Sequence, residues 1–268
     1  MEILLNEHPL EVRSGTSLFN LRDQCKPGAD VLIFNGYPAT TDRKLSEGDR
    51  VVLIRRGEKP SPEELEALMA ARHTPGVHRK VKRGIVGIAG VGGLGSAVAV
   101  ALARLGVGHL ILADFDVVEP SNLNRQQYFV DQIGLPKVEA MRENLARINP
   151  YVKVSVYHGR LDPENIPAIF AGVDVMVEAF DGADQKAMLT ETFLRHFPGK
   201  PLVAASGMAG FGPANTIATR KAVRNLYLVG DGETAARPGE GLMAPRVGIA
   251  AHHQANAVLR LLLGEEPE

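Results

Sequence analysis

The stretch GIVGIAGVGGLGSAVAVALARLGVGHLILADFD, residues 84–116, decides the fold. Ile85 to Gly90 is a short continuous apolar run, the pattern of a strand buried on both faces. Gly92 to Leu105 is rich in Ala, Val and Leu and reads as a helix. HLILAD is a second buried strand ending on Asp114. Between the first strand and the helix, Gly90-Val91-Gly92-Gly93-Leu94-Gly95 fits G-x-G-x-x-G with one additional glycine. Such a loop turns tightly, lets the backbone approach an anion and offers the free N–H groups of a helix start to phosphate. Asp114 stands where an acid accepts hydrogen bonds from a ribose, so the unit reads as a nucleotide cradle. Taken alone it favours NAD, because dehydrogenases are the commoner users of the pattern.

Downstream, strands and helices keep alternating. PKVEAMRENLARINP is helical, KVSVYHG extended, PENIPAIFAG a short helix, VDVMVEAF a buried strand, DQKAMLTETFLRHF a helix and PLVAASG a strand. That order predicts an α/β, Rossmann-like domain, a mainly parallel sheet with helices on both faces. MAGFGPANTIAT and NLYLV read as strands, Asp231 to Pro245 as a long loop able to cross over the site, and RVGIAAHHQANAVLRLLLG as a closing helix stopped by Gly264.

Upstream, residues 1–57 form a separate small unit of order β-β-α-β-β, with Ile3, Leu5, Ile33 and Leu53 on the covered face of its sheet. Residues 58–83 are a linker. Ser61 caps a helix with Pro62 at its first position and Glu64 placed for a capping box, and the helix stops near Thr74-Pro75-Gly76. The basic run Arg79, Lys80, Lys82 and Arg83 reads as a solvated connector, with phosphate or partner contact as the alternative. Residues 84–268 are the nucleotide-binding domain.

Thirty basic against 31 acidic residues give a net charge of -1, which provides no electrostatic case for a nucleic acid or membrane partner. No apolar run is long enough to span a bilayer, and MEILLNEHPL lacks the layout of a secretion signal, so a cytoplasmic location is expected. The single cysteine, Cys25, excludes an internal disulfide and a four-cysteine zinc site. In the amino-terminal unit it reads as a small buried or half-buried apolar residue rather than a nucleophile.

The residues after Asp114 overturn the NAD reading. DFDVVEPSNLNRQQ supplies Asn122, Arg125 and Gln126, and Gly134-Leu135-Pro136-Lys137 adds a lysine. Hydride transfer wants a dry apolar face and has no use for these groups, whereas polyphosphate chemistry does. Arg125 as a planar fork and Lys137 as a point charge can neutralise phosphate. An acid at the carboxyl end of a buried parallel strand, as Asp181 is in EAFDGAD, points into the ligand crevice of an open sheet.

GVGGLG, DFD, SNLNRQ and GLPK, in that order, resemble the adenylate-forming superfamily that includes ThiF, MoeB and the ubiquitin-activating enzymes, over roughly residues 62–264. The resemblance implies ATP as the nucleotide, bound by Gly90, Gly92, Gly93 and Gly95. It implies Asp114 on the ribose, Asn122, Arg125, Gln126 and Lys137 on the phosphates and the reacting carboxylate, and Mg2+ on Asp181. Arg125, Lys137 and Asp181 would then carry catalysis. The implied reaction is attack by the C-terminal carboxylate of a ubiquitin-like sulfur carrier on the α-phosphorus of ATP, with homodimeric assembly and a separate sulfur-transfer protein. EILLNEHPLEV and EGDRVVLIRRG resemble the β-grasp, ubiquitin-like carrier ThiS, which makes thiazole and thiamine synthesis the expected setting.

The chain departs from the family in two ways. It lacks both an acceptor cysteine and the paired CxxC motifs that hold zinc, so no structural zinc is expected and the reaction is expected to stop at the adenylate. Its ThiS-like unit runs from Arg55-Arg56-Gly57 into Glu58 rather than ending in Gly-Gly, so it reads as a docking, assembly or regulatory module. Asp184 and Lys186 can touch metal or phosphate, or be a helix-start acid and a solvated lysine. His252 and His253 read as structural, and the small residues 205–210 as close packing or an approach for the carrier tail. Rivals are a dehydratase of a modified tRNA base from the same superfamily, a non-catalytic nucleotide-binding scaffold and an NAD dehydrogenase.

Overall fold

The computed structural model describes residues 1–73, 75–238 and 241–267. The chain divides into two compact units, Met1–His78 and Arg79–Glu268.

The first unit holds β1 (Glu2–Leu5), β2 (His8–Glu11), α1 (Leu18–Cys25), β3 (Val31–Phe34), β4 (Tyr37–Pro38) and β5 (Arg50–Ile54). Its five-stranded sheet has the order β2-β1-β5-β3-β4. Only β1 and β5 run parallel. Ile3, Leu18, Leu21, Leu32, Val51 and Leu53 form its core. Two details differ from the sequence expectation. In β3, Leu32 faces the core and Ile33 is only half-buried, because Leu32 pairs with Leu53 and Ile33 with Val52. A one-residue offset in a strand exchanges its faces. The additional strand β4 is two residues long, too short for periodicity. It follows the turn Asn35-Gly36, both at positive φ, the residue pair most suited to a two-residue hairpin.

Helix α2 (Pro62–His73) begins where Ser61 accepts from the Glu64 amide at 3.1 Å. The Glu64 carboxylate does not close a capping box. It accepts from Asn6 Nδ2 at 2.6 Å and pairs with Lys26 at 3.3 Å, tying α2 to the small sheet. Arg79, Lys80, Lys82 and Arg83 of the basic run are exposed. The run lies in α3 (Pro75–Arg83), where Val77 and Val81 share one side and Val81 is fully buried. Pro75 is the first described residue of α3, and proline suits a first turn. The expected stop at Thr74 itself lies outside the described residues.

The second unit is a seven-stranded sheet of order β11-β12-β10-β9-β6-β7-β8. Its strands are β6 (Ile85–Ala89), β7 (His109–Asp114), β8 (Lys153–His158), β9 (Val175–Glu178), β10 (Leu202–Ala205), β11 (Ala218–Val223) and β12 (Leu226–Gly230). All pair in parallel except β11, an exposed antiparallel edge. Helices α4 (Gly93–Leu105), α5 (Lys137–Ile148), α6 (Ile166–Ile169), α7 (Ala183–His196) and α8 (Ala244–Leu263) cover it. Phe170, Met176, Leu189, Phe193 and Leu202 centre the core under α6 and α7, and α4 packs along α8. Residues 206–217, expected to be extended, are irregular with a 3₁₀ turn at Ala214–Thr216. Gly207 and Gly210 take positive φ there and Pro213 follows, so no ladder can form. No helix among the described residues is long and apolar enough to cross a membrane.

The strand order reverses beside β6: the chain moves outward through β7 and β8, then returns to β9 on the other side. Ligands of open parallel sheets bind outside the carboxyl ends of the strands at such a point.

Candidate nucleotide-binding site

A cleft of about 730 Å³ opens at that reversal, and its walls come from the ends of β6, β7, β9, β10 and β12. The glycine loop forms its floor. Gly90 has φ +86°, and a Cβ there would stand 2.8 Å from the Ala179 carbonyl oxygen. A Cβ on Gly95 would stand 1.9 Å from the Gly90 carbonyl oxygen, so the first turn of α4 rests against the end of β6. Gly92 is the N-cap of α4 with no side chain to bond the first amides, which leaves them facing the cleft. Gly90, Gly92 and Gly93 line the cleft, while Gly95 makes the packing that shapes it.

Asp114 ends β7 and fastens this loop. It is buried, accepts from the Val91 amide at 2.6 Å through Oδ2 and from the Asp116 amide at 2.8 Å through Oδ1. Burial pushes its carboxyl up, and the two amides oppose that. Tyr128 completes the anchor by donating its hydroxyl to the Val91 carbonyl at 2.7 Å. Burial beside Asp114 and Asp116 pushes the phenol far above its ordinary value, so it stays a donor. Nothing in the motif pointed to Tyr128.

The cationic wall follows. Lys137, at the start of α5, is buried and pairs with Asp116 at 2.7 Å. Arg125 donates through Nη1 to Asn124 Oδ1 at 2.8 Å and to the Ser121 carbonyl at 3.3 Å, with its stem over Gly93. Its Nε and the Gln126 Oε1 are buried without a hydrogen-bond partner. Buried polar atoms left unsatisfied are costly, and both belong to residues that line the cleft. Asn122 also lines the cleft, but its Oδ1 accepts from the Glu119 amide at 3.0 Å and so shapes the loop.

Opposite stand Asp181 and the residues around it. Asp181 lies exposed between β9 and α7, with no ion pair among the described residues. Asp184 is exposed and outside the cleft lining, whereas Lys186 lines the cleft and is not a solvated lysine. Its ammonium donates to both oxygens of Glu178 at 3.0 Å and to the Ala205 carbonyl at 3.1 Å. Glu178 is fully buried; burial pushes its carboxyl up, opposed by Lys186 and by the Phe180 and Ala205 amides. Glu178 was missed in the sequence, although an acid closing the apolar run VMV is itself a signal of a buried partner.

Ala205 to Ala209 and Gly232 to Ala236 form the remaining wall. Asp231 holds the second of these segments. Its carboxylate accepts from the Glu233 and Thr234 amides at 2.9 Å and from the Thr234 hydroxyl at 2.7 Å, and it pairs with Arg246 of α8 at 2.6 Å. Burial alone would raise its pKa, but these donors outweigh burial and hold the carboxyl far below the usual carboxylate range. The expected crossover between 231 and 245 is thus stapled at its base, while Gly239 and Glu240 lie outside the described residues. His252 and His253 are away from the cleft lining, bonded to the Gly248 carbonyl and the Thr219 hydroxyl. Cys25 is exposed rather than buried, at the end of a short helix whose apolar side is Leu18 and Leu21; desolvation nevertheless pushes its thiol up, away from nucleophilic character.

Among the described residues no three His, Cys, Asp or Glu side chains gather into a metal-binding group. The bare start of α4, Arg125 and Lys137 line one part of the cleft, and Asp181 and Glu233 line it as carboxylates with no ion pair among the described residues.

Comparison with known proteins bears on whose cleft this is. Residues 1–57 match the ThiS-like ubiquitin family and residues 66–268 the ThiF family. A molybdopterin-synthase adenylyltransferase of Salmonella typhimurium is 33% identical over 183 residues, covering 65% of this chain and 71% of that one. An adenylyltransferase and sulfurtransferase of Yarrowia lipolytica is 32% identical over 66% of this chain, which spans 45% of that longer protein. Among solved structures, the E. coli tRNA N6-threonylcarbamoyladenosine dehydratase in complex with ATP superposes with a TM-score of 0.67 at 25% identity, covering 73% of this chain and 92% of that one. The glycine loop, the cations after β7 and the acid after β9 all fall inside the matched stretch, and the chain belongs to the ThiF family.

Proposed function

We propose that this chain is an adenylyltransferase that activates the C-terminal carboxylate of a ubiquitin-like sulfur carrier with ATP, releasing pyrophosphate. The observation that carries the reading is the convergence of the bare start of α4, Arg125, Lys137 and Asp181 on one cleft. Two relatives named as adenylyltransferases support the reaction type.

A carboxylate oxygen of the carrier attacks the α-phosphorus, the bond from that phosphorus to the bridging oxygen breaks, and pyrophosphate leaves with the electron pair. No proton moves, so the protein's work is positioning and charge neutralisation. The free amides at Gly92 to Gly95 and the Arg125 guanidinium address the phosphates. Lys137 exchanges its bond to half-exposed Asp116 for phosphate oxygen. Asp114, while holding Val91, retains acceptor capacity for the ribose hydroxyls. Asp181 suits Mg2+, which keeps much of its water and takes one or two carboxylates beside substrate phosphate rather than an all-protein cage. When bound there, the ion neutralises the phosphates as the bond breaks. Without an acceptor cysteine the reaction ends at the adenylate, and a separate protein delivers sulfur.

The carrier is of ThiS type, in thiazole and thiamine synthesis, and the enzyme works as a cytoplasmic homodimer; the fused ThiS-like unit supports the carrier class. Thermal melting with Mg2+–ATP against NAD, then carrier-dependent ATP–pyrophosphate exchange with ThiS-type and molybdopterin-synthase-type carriers, tests the reading. Stabilisation by ATP and exchange with the ThiS-type carrier are expected. Exchange only with the other carrier moves the substrate. ATP binding with no carrier response but turnover of threonylcarbamoyladenosine tRNA selects the dehydratase reading, and stabilisation by NAD alone ends both.

A further inference from the structure

We propose that the ion pair of buried Glu178 with half-buried Lys186 is a positioning device that holds Asp181 in place for Mg2+, and that Lys186 does not itself bind phosphate. The inference deepens the adenylation reading and rests on it for the role of Asp181.

The geometry is a closed ring around the turn that carries Asp181. Glu178 ends β9 and takes the Phe180 amide at 2.7 Å, one residue before Asp181. Lys186, in the first turns of α7, donates its own amide to the Gly182 carbonyl at 3.0 Å, one residue after Asp181. The two side chains then close the ring, with both carboxylate oxygens on the ammonium at 3.0 Å. Asp181 sits at the apex of this ring and takes no part in it.

The same pair reaches across to the neighbouring strand. The pairing of β9 with β10 stops at Val177 and Val203, so the ends of the two strands separate where the cleft needs room. Into that gap Glu178 Oε2 takes the Ala205 amide at 3.4 Å and Lys186 gives a proton to the Ala205 carbonyl at 3.1 Å. Gln254 of α8 bonds the Glu178 and Val203 carbonyls at 2.9 and 3.3 Å from within the core. The pair thus replaces the missing ladder bonds and sets the distance between the Asp181 wall and the Ser206 wall.

Lys186 lines the cleft, which invites a phosphate-binding role. That role would draw the ammonium off Glu178 and leave a fully buried carboxylate with two amides and no counter-charge, which the interior strongly opposes. Arg125 and Lys137 have weaker or more exposed partners to give up, a carbonyl, an amide side chain and a half-exposed carboxylate. They are the phosphate groups; Lys186 is retained by Glu178.

The test uses the full chain with Glu178→Gln, which keeps size but removes the charge and turns one acceptor oxygen into a donor, Lys186→Arg, which keeps the charge, and the double variant Glu178→Gln with Lys186→Met. Two readouts are taken: the Mg2+ concentration giving half-maximal thermal stabilisation by ATP, and the stabilisation by AMP without metal. Glu178→Gln and the double variant are expected to raise the Mg2+ requirement at least tenfold while AMP stabilisation stays within twofold of the parent. Lys186→Arg is expected to restore the Mg2+ requirement to within threefold. An unchanged Mg2+ requirement in both charge-removing variants overturns the proposal. Loss of AMP binding in both assigns the pair to folding and overturns it equally. Because these readouts need no carrier, a parent enzyme that binds Mg2+–ATP but exchanges no pyrophosphate refutes adenylation without touching this result.

Discussion

Gly95→Ala isolates the shape of the glycine loop from its charge. The added Cβ would stand 1.9 Å from the Gly90 carbonyl oxygen and 2.9 Å from its carbonyl carbon. Both partners are backbone, one in the first turn of α4 and one at the end of β6, so no side-chain rotation relieves the clash. The two elements must separate by roughly 1 Å, and overpacking of this kind costs about 1–3 kcal/mol. Alanine favours the helix by roughly 1 kcal/mol, so the net loss is about 0–2 kcal/mol and the melting temperature falls by at most a few degrees. Nucleotide handling suffers more. Displacing the α4 amides by roughly 1 Å from the phosphates is expected to lower kcat/KM for pyrophosphate exchange about 100-fold, near 2.7 kcal/mol. Gly248→Ala is the control. It lies in α8 with nothing within 4 Å of the new Cβ, so it is expected to melt at or slightly above the parent temperature with unchanged exchange. A Gly95→Ala protein with parental melting and exchange would falsify the close-approach account of the loop.

Three charged residues and the single cysteine give four further tests. Arg125→Ala and Asp181→Ala are each expected to abolish carrier-dependent exchange while shifting the melting temperature little, and undiminished exchange in both would remove them from the mechanism. Asp231→Ala strands the buried Arg246 guanidinium and is expected to cost about 3 kcal/mol, read as a lower urea midpoint. Because the folded-state pKa of Asp231 is depressed, its contribution is fully present above the unfolded value near 3.8 and is lost as pH falls through the folded one. Urea midpoints of parent and variant should therefore converge below pH 4, and a constant gap down to pH 2 would contradict the assignment. Cys25→Ser is expected to keep full exchange and to leave no covalent carrier adduct in either protein, and a thioester seen by mass spectrometry would reverse that conclusion.

What could be read from the chain follows from how locally each feature is encoded. The order of strands and helices in the second unit is written in apolar runs, and the glycine loop in residue identity, so both were legible. The cleft residues Asn122, Arg125, Gln126 and Lys137 were legible because they sit on one loop and the helix it enters. Tyr128 and the Asp231–Arg246 staple were not, since each acts through a partner brought close only by the fold; Glu178 carried a signal in closing the run VMV, but its partner Lys186 is set by the turn between β9 and α7. Asp231 and Arg246 are 15 residues apart in the chain yet bonded at 2.6 Å. Short or strained pieces failed for a different reason. Strand β4 is too brief to show a period, and residues 206–217 had the apolar content of a strand but the glycines and proline that forbid one.

The distribution of charge around the cleft has its own logic. Two buried acids and one half-buried acid stand at or just after the carboxyl ends of parallel strands: Asp114 on β7, Glu178 on β9 and, half-buried, Asp231 after β12. Each is turned onto backbone amides, and the latter two onto a cation as well, so Glu178 and Asp231 spend their charge on holding loops while Asp114 holds the glycine loop with acceptor capacity to spare. Arg125 and Lys137 keep partners that phosphate can replace, and the start of α4 has no side-chain cap. The exchangeable cations and the bare helix start thus gather in one cleft, although the chain as a whole carries a net charge of -1. Rigid acids behind and exchangeable cations in front let the loops stay fixed while the phosphates are gripped. Preorganisation of this kind lowers a barrier without reorganisation at the moment of reaction. Asp181, a cleft carboxylate with no ion pair among the described residues, has a use beside phosphate if a cation accompanies the nucleotide. Hence substituting Asp181 should harm Mg2+–ATP binding while sparing AMP, and equal loss of both would place Asp181 in the fold of the cleft instead.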